Sequence, residues 1–340
     1  MCDNLFPLVE SLNLYVYKNK KSDLTNPKIY YDIENNFNIR YYAFGKTIFK
    51  YLNPIFVLFI NILNKKNHVF YCRNKIAALI LTNFNFKVIY EAHNIIKQSN
   101  YFFESKIINS KNTIAIVFIS NELKSWYQSR FKSEKFHVLH DGAEIKKNEK
   151  IINPYNLNKI NITYIGSLYH GRGIELIIEL AKHFKNYNFN IVGGDKKQIL
   201  LLKNISPKNI IYHGYKNQSQ LVSYRNFSDI LLMPYKFGLS NPGSYEDTSR
   251  WMSPMKMFEY MSSGVPIISS DIKVLREVLN EKNSVLVDYK LNEWIDGINL
   301  ILKNKSFSRK ISQNALRDLK SKYTWKNRAQ KIMKLIENPK

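Results

Sequence analysis

The residues best placed for chemistry lie in Ser253-Pro254-Met255-Lys256-Met257-Phe258-Glu259-Tyr260-Met261, followed by Ser262-Ser263-Gly264-Val265-Pro266. Ser253 reads as a helix N-cap and Pro254 as the first helical position, where no N–H is needed. Gly264 reads as the left-handed residue that ends the helix, and residues 265–270 as a short buried strand. A helix start presents unpaired N–H groups and the positive end of its dipole, which suits a phosphate. Lys256, in the first turn, runs against the dipole, a local conflict of the kind functional sites produce. Glu259 follows about one turn later, and its carboxylate can accept two hydrogen bonds from a vicinal diol. A phosphate site followed by a diol acceptor points to a nucleotide. The plain alternative is a capped helix that buries Met257, Phe258 and Met261.

Other candidates lie at strand ends. Residues 166–173, Gly-Ser-Leu-Tyr-His-Gly-Arg-Gly, form a turn between a predicted strand and helix, where backbone N–H groups from Gly166 onward cradle phosphate. Arg172 adds a fork of donors for a diphosphate. His93 lies where the strand Lys87-Val88-Ile89-Tyr90 ends in Glu91-Ala92-His93-Asn94, a usual ligand position in open α/β sheets; a structural histidine is the equal alternative. Tyr215, after another strand, either borders a base or packs in the core. No metal site is expected, since His93, His140, His170 and His213 are not at ligand spacing and no Asp-x-Asp occurs.

The elements that must position these residues alternate. Strands are predicted at 13–17, 37–44, 68–72, 87–90, 114–119 and 136–139, with helices at 1–12, 44–64, 75–83 and 120–131. A polar stretch at 143–160 reads as a linker. Strands then recur at 161–165, 189–192, 210–212, 230–233, 266–269 and 285–288, with helices between them. The class is α/β, with doubly wound parallel sheets. The expected domains are 1–150, 151–322, and a last helix within 323–340.

The 340 residues carry 51 Lys and Arg against 27 Asp and Glu, a net charge of +24. That balance fits phosphorylated ligands, an anionic membrane surface or nucleic acid. No nucleic-acid-binding signature is present, so nucleic acid is not expected as a partner. Two cysteines, Cys2 and Cys72, exclude a disulfide framework. The apolar run at 55–63 is too short to span a bilayer, and no signal peptide is read at the N-terminus. The expected location is cytoplasmic, peripheral at the inner membrane face.

The stretch from Ser253 to Pro266 resembles the donor-site helix of retaining glycosyltransferase family 4, in the branch carrying SPxKxFEYMxxGxP. The resemblance implies two Rossmann-like domains facing across a cleft, the GT-B fold, with the last helix crossing back to the first domain. It implies transfer of a sugar from a nucleoside diphosphate sugar to a hydroxyl of a surface or lipid-linked glycan, without a cofactor. Lys256 and Arg172 would hold the diphosphate, Glu259 the ribose, Gly166 and Ser253 the phosphate cradle, and Tyr215 the base. His93 would approach the sugar or acceptor. Three features depart from the family pattern. Ser167 stands where an arginine is usual, and Trp251 where the first glutamate of Glu-x7-Glu is usual. The first strand and its glycine-rich loop are missing from the first domain. Glu246 and Asp247 lie near the vacant carboxylate position, either as substitutes or as a solvated acidic pair. A non-catalytic nucleotide-sugar binder, a truncated inactive transferase and a nucleotide-sugar epimerase of the same fold are the rival readings.

Overall fold

The computed structural model describes residues 1–17, 33–42, 68–96, 100–145, 152–155, 158–238 and 247–339. The helix expected at 44–64, and with it the apolar run at 55–63, lies outside them. The chain divides into two compact units, Met1–His140 with Trp325–Lys340, and Asp141–Thr324.

The first unit opens with α1 (Cys2–Leu5) and a 3-10 turn at Phe6–Leu8, not the longer helix expected at 1–12. Pro7 lacks an N–H, and Val9 is already extended at φ −134° and ψ 152°. Strands β1 (Asn13–Tyr17) and β2 (Asn38–Tyr42) pair in parallel as a sheet of their own. The main sheet follows from β3 (Val69–Cys72), α2 (Lys75–Asn83), β4 (Lys87–Ala92), α3 (Tyr101–Asn109), β5 (Thr113–Phe118), α4 (Asn121–Gln128) and β6 (Phe136–Val138). Its strands run parallel in the order β3-β4-β5-β6. Every residue of β5 is buried, as its unbroken apolar run requires. Asn74 and Ser120 cap α2 and α4 by accepting backbone N–H bonds in the first turn.

The second unit contains β7 (Asn161–Ile165), α5 (Ile174–His183), β8 (Asn188–Val192), α6 (Lys196–Lys203), β9 (Ile210–Gly214), α7 (Gln218–Asn226) and β10 (Ile230–Met233). It continues through α8 (Met255–Met261), β11 (Ile267–Ser270), β12 (Val285–Val287), α9 (Leu291–Lys303) and α10 (Lys305–Lys322). The parallel sheet has the order β12-β11-β10-β7-β8-β9. Strand order therefore reverses between β7 and β10, the switch point of a doubly wound sheet. Asp195 and Asn217 each form a capping box, with Gln198 and Gln220, so α6 and α7 begin at defined residues. The chain then returns to the first unit as α11 (Trp325–Glu337), whose Ala329 and Ile332 share a core with Leu5, Ile89 and Val117.

Helix α8 starts later than expected. Pro254, not Ser253, is the N-cap, and no side chain bonds the helix start. The Ser253 hydroxyl instead accepts the backbone N–H of Asp141 at 3.2 Å. The helix stops before Gly264, which takes φ +68°. Tyr260 locks α8 to the sheet, because its hydroxyl accepts the Ile165 N–H of β7 at 2.8 Å. Tyr260→Phe leaves that N–H buried without this partner. The expected outcome is a loss of about 1–3 kcal/mol in unfolding free energy, read from urea unfolding of the second unit's transition.

Candidate active site

Four of the residues singled out by the sequence converge in the second unit at the carboxyl ends of β7 and β10. Gly166 follows β7 directly, and its N–H is bonded to Val192 O at 2.9 Å. The turn beyond it is fixed by Tyr164, whose hydroxyl donates to Ser167 O at 2.7 Å. Gly173 starts α5 at φ +79°, and a Cβ there would stand 1.9 Å from Pro234 O. Only glycine fits so close to the segment after β10. This approach brings Arg172 beside Tyr235, with its guanidinium 5.3 Å from the ring centre and bonded to the hydroxyl.

Lys256 reaches the same point from α8. A Cβ on Gly166 would lie 2.6 Å from Lys256 Nζ, so the missing side chain is what makes room for the ammonium. Nζ sits 3.9 Å from the Tyr164 ring centre and 5.2 Å from that of Tyr235, a cation–π placement. It is buried and has no hydrogen-bond partner among the described residues. Burial, and then the charge of Arg172, push its pKa well below the ordinary lysine value, against the smaller pull of Glu259.

Glu259 lies on the same helix with both carboxylate oxygens engaged. Gln218 Nε2 donates to Oε1 at 2.6 Å, and Arg225 Nη1 lies 3.5 Å from Oε2. Arg225 is buried on α7, and its Nε has no hydrogen-bond partner among the described residues. Tyr215 is 63% exposed, which removes the core-packing alternative. Trp251 is buried. Asp247 turns onto its own segment, accepting the Ser249 N–H at 3.0 Å and pairing with Arg250 at 3.6 Å. Glu246 lies outside the described residues.

His93 belongs to the first unit, just past β4, and is part of a different cluster. Its Nε2 meets Glu91 Oε1, and its Nδ1 lies 3.1 Å from Arg73 Nη2. Glu91 is 3% exposed and also receives the Tyr71 hydroxyl and, at 3.1 Å, Arg328 Nη2. Burial pushes the Glu91 carboxyl up, but the hydrogen bonds and charges of His93, Arg328 and Tyr71 outweigh it and hold the pKa at about 2. Sequence reasoning passed over Glu91, Arg328, Arg225, Gln218 and Tyr235. Only Glu91 left a visible signal, as a carboxylate directly after the apolar run Val88-Ile89-Tyr90. Among the described residues, no group of three or more His, Cys, Asp or Glu is arranged to hold a metal ion.

The sign of the Glu91 effect on stability follows from its depressed carboxyl. Its contribution is present above the ordinary value of 4.5 and is lost as pH falls toward about 2. Denaturant midpoints measured across that window should fall for the native protein and change less for Glu91→Gln.

The family model described as glycosyl transferases group 1 matches residues 145–318, just over half of the chain. A protein described as an uncharacterized 41.2 kDa protein in the cps region of Klebsiella pneumoniae is 24% identical over 230 residues, covering 62% of this chain and 60% of its own length. The uncharacterized glycosyltransferase MJ1069 of Methanocaldococcus jannaschii is 25% identical over 258 residues, 70% of this chain and 62% of its own. The chain thus spans 60 to 62% of the length of these curated relatives. Among solved structures, Anabaena Alr3699/HepE in complex with UDP superposes with a TM-score of 0.74 at 13% identity, covering 99% of this chain and 94% of that one. A glycosyltransferase from Rickettsia africae does so with 0.74 at 17%, covering 99% and 93%. These likenesses show the two-domain Rossmann-like fold of the GT-B glycosyltransferases. By its match over residues 145–318, the chain belongs to the glycosyl transferases group 1.

Proposed function

We propose that this chain is a retaining glycosyltransferase of family 4, in the SPxKxFEYMxxGxP branch. It moves a sugar from a nucleoside diphosphate sugar to a hydroxyl of a surface or lipid-linked glycan. The observation that carries the reading is the buried ammonium of Lys256, which has no hydrogen-bond partner among the described residues and lies beside Arg172 at a sheet switch point. An unpaired buried cation is costly, and an anion resolves the cost. A diphosphate fits two cations and a βα turn together. The similar HepE structures are described with UDP, with UDP and glucose, and with UDP-glucose.

In this reading Lys256 and Arg172 stabilise the charge that develops on the leaving diphosphate. Glu259 receives the ribose hydroxyls once the Gln218 amide gives up Oε1. Gly166 leaves the room that Nζ occupies beside the turn, where the phosphates would lie. Tyr215, exposed after β9, flanks the base, and His93 serves the sugar or acceptor. The excess of positive charge draws the protein to an anionic membrane surface, where a lipid-linked acceptor would be found. No helix among the described residues is long and apolar enough to cross a membrane. Attachment through this charge is reversed by salt.

A screen of nucleotide sugars for slow hydrolysis tests the donor directly. No turnover with any of them would reject the reading. Lys256→Met should lower that hydrolysis by at least about 100-fold, while the melting temperature of the ligand-free protein rises because a desolvated cation is gone. A variant that melts lower, or that keeps its activity, contradicts the assignment. Glu259→Gln should cost roughly 1.5–3 kcal/mol of donor binding by calorimetry; unchanged affinity in a folded variant takes Glu259 out of the site. Flotation with anionic vesicles should show binding at low salt that is lost at high salt.

A further inference from the structure

We propose that Arg328, on the last helix of the chain, is a positioning residue for His93. It acts through the buried carboxylate of Glu91 to hold the imidazole as the Nε2–H tautomer, with the lone pair on Nδ1. The link to catalysis rests on the reading above that His93 serves glycosyl transfer; the link to the tautomer does not.

The geometry leaves each ring nitrogen one role. Glu91, ionised, can only accept, so the His93 Nε2 that faces Oε1 must carry the hydrogen. Arg73 can only donate, so the Nδ1 facing its Nη2 at 3.1 Å must offer a lone pair. The two neighbours differ in how firmly they are held. Arg73 is 67% exposed, and its other contact with the cluster is a loose one, 3.7 Å from Glu91 Oε1. An exposed arginine is easily displaced, and Nδ1 then accepts from a substrate hydroxyl. The Glu91 side is rigid. Arg328 is 5% exposed. Its Nη2 donates to Glu91 Oε2 and to Leu139 O, each at 3.1 Å, and its Nη1 lies 3.0 Å from Met1 Sδ. The guanidinium is thereby tied to β4, to the residue following β6 and to the first residue of the chain.

Arg328 does more than fill space, because of what its loss would do to the carboxylate. The groups facing Glu91 are Tyr71 on β3, Arg73 just after it, His93 after β4 and Arg328 on α11. Arg328 is the buried cation among them. Without it, burial favours a neutral carboxyl group. A neutral carboxyl carries an O–H that can donate to Nε2, and the imidazole proton then moves to Nδ1. The site would keep its histidine but present a donor where it had an acceptor.

Long-range proton–nitrogen spectra of the full chain labelled with ¹⁵N-histidine read this directly, with the His93 signals assigned by their loss in His93→Gln. On the alkaline side of the imidazole titration, the native protein should show a protonated Nε2 and a bare Nδ1. Arg328→Met should show the Nδ1–H or an averaged pattern, and Arg328→Lys should restore the native pattern at least in part. Donor hydrolysis in Arg328→Met should fall roughly 10- to 100-fold in kcat with little change in donor KM. If Arg328→Met does not fold, Glu91→Gln, whose amide can accept from Nε2 or donate to it, should show mixed tautomers. A folded Arg328→Met, or Glu91→Gln in its place, with the native tautomer overturns the proposal. Tautomer changes as expected, in a protein that hydrolyses no nucleotide sugar, would support the positioning link and defeat the glycosyltransferase reading instead.

Discussion

The site in the second unit depends on one energetically awkward feature, an ammonium buried with no hydrogen-bond partner among the described residues. Lys256 Nζ faces the rings of Tyr164 and Tyr235 and the open side of Gly166. Ring faces return only part of what water gave it, about 2 kcal/mol for a desolvated cation–π contact. The rest of the unit is built to hold that position. Tyr260 ties α8 to β7, and Met257, Phe258 and Met261 seat the helix in the core. The tight approach at Gly173 brings the segment after β10 under Arg172. Stability is given up at one atom, and the surrounding packing keeps that atom from relaxing.

Strand order explains why the cation is where it is. In the order β12-β11-β10-β7-β8-β9, the connections from β7 and β10 leave the sheet in opposite directions and open a crevice at their carboxyl ends. Gly166 and Arg172 come from the connection after β7, and Tyr235 from the one after β10. Lys256 and Glu259 come from the helix that precedes β11. Residues far apart in sequence meet because the topology makes a gap there.

Much of this was legible in the sequence because it is written in short-range signals. The alternating strands were readable from unbroken apolar runs, as in 114–119 and 230–233. The turn at 166–173 was readable from its glycines, and the end of α8 from Gly264. What was not legible depends on contacts across the fold. Ser253 has the chemistry of an N-cap, but its hydroxyl is taken by the Asp141 N–H, 112 positions away in the chain. Tyr215 could be read as core or as surface until the end of β9 left it exposed. The pairing of β1 with β2, away from the main sheet of the first unit, has no local signature. Arg225 and Arg328 look like any of the 51 basic residues, since nothing in a sequence marks which arginine is buried against which carboxylate.

Those two arginines reveal a shared construction. Glu259 and Glu91 lie in different units, on a helix and on a strand, yet each is paired with a buried guanidinium from a helix elsewhere in its own unit. Each also meets a second, uncharged group, the amide of Gln218 on Glu259 and the hydroxyl of Tyr71 on Glu91. On Glu91 the buried guanidinium of Arg328 helps to keep the carboxylate charged where burial alone would neutralise it. The difference lies in the other neighbours. On Glu259 the neighbouring amide, Gln218, is bonded to the carboxylate itself. Around Glu91 the exposed partner is Arg73, on the far nitrogen of His93. The same carboxylate–arginine pairing thus recurs in both units, on Glu259 in one and beside His93 in the other. In a chain with so large an excess of positive charge, fixing these few acceptors takes buried cations placed one at a time.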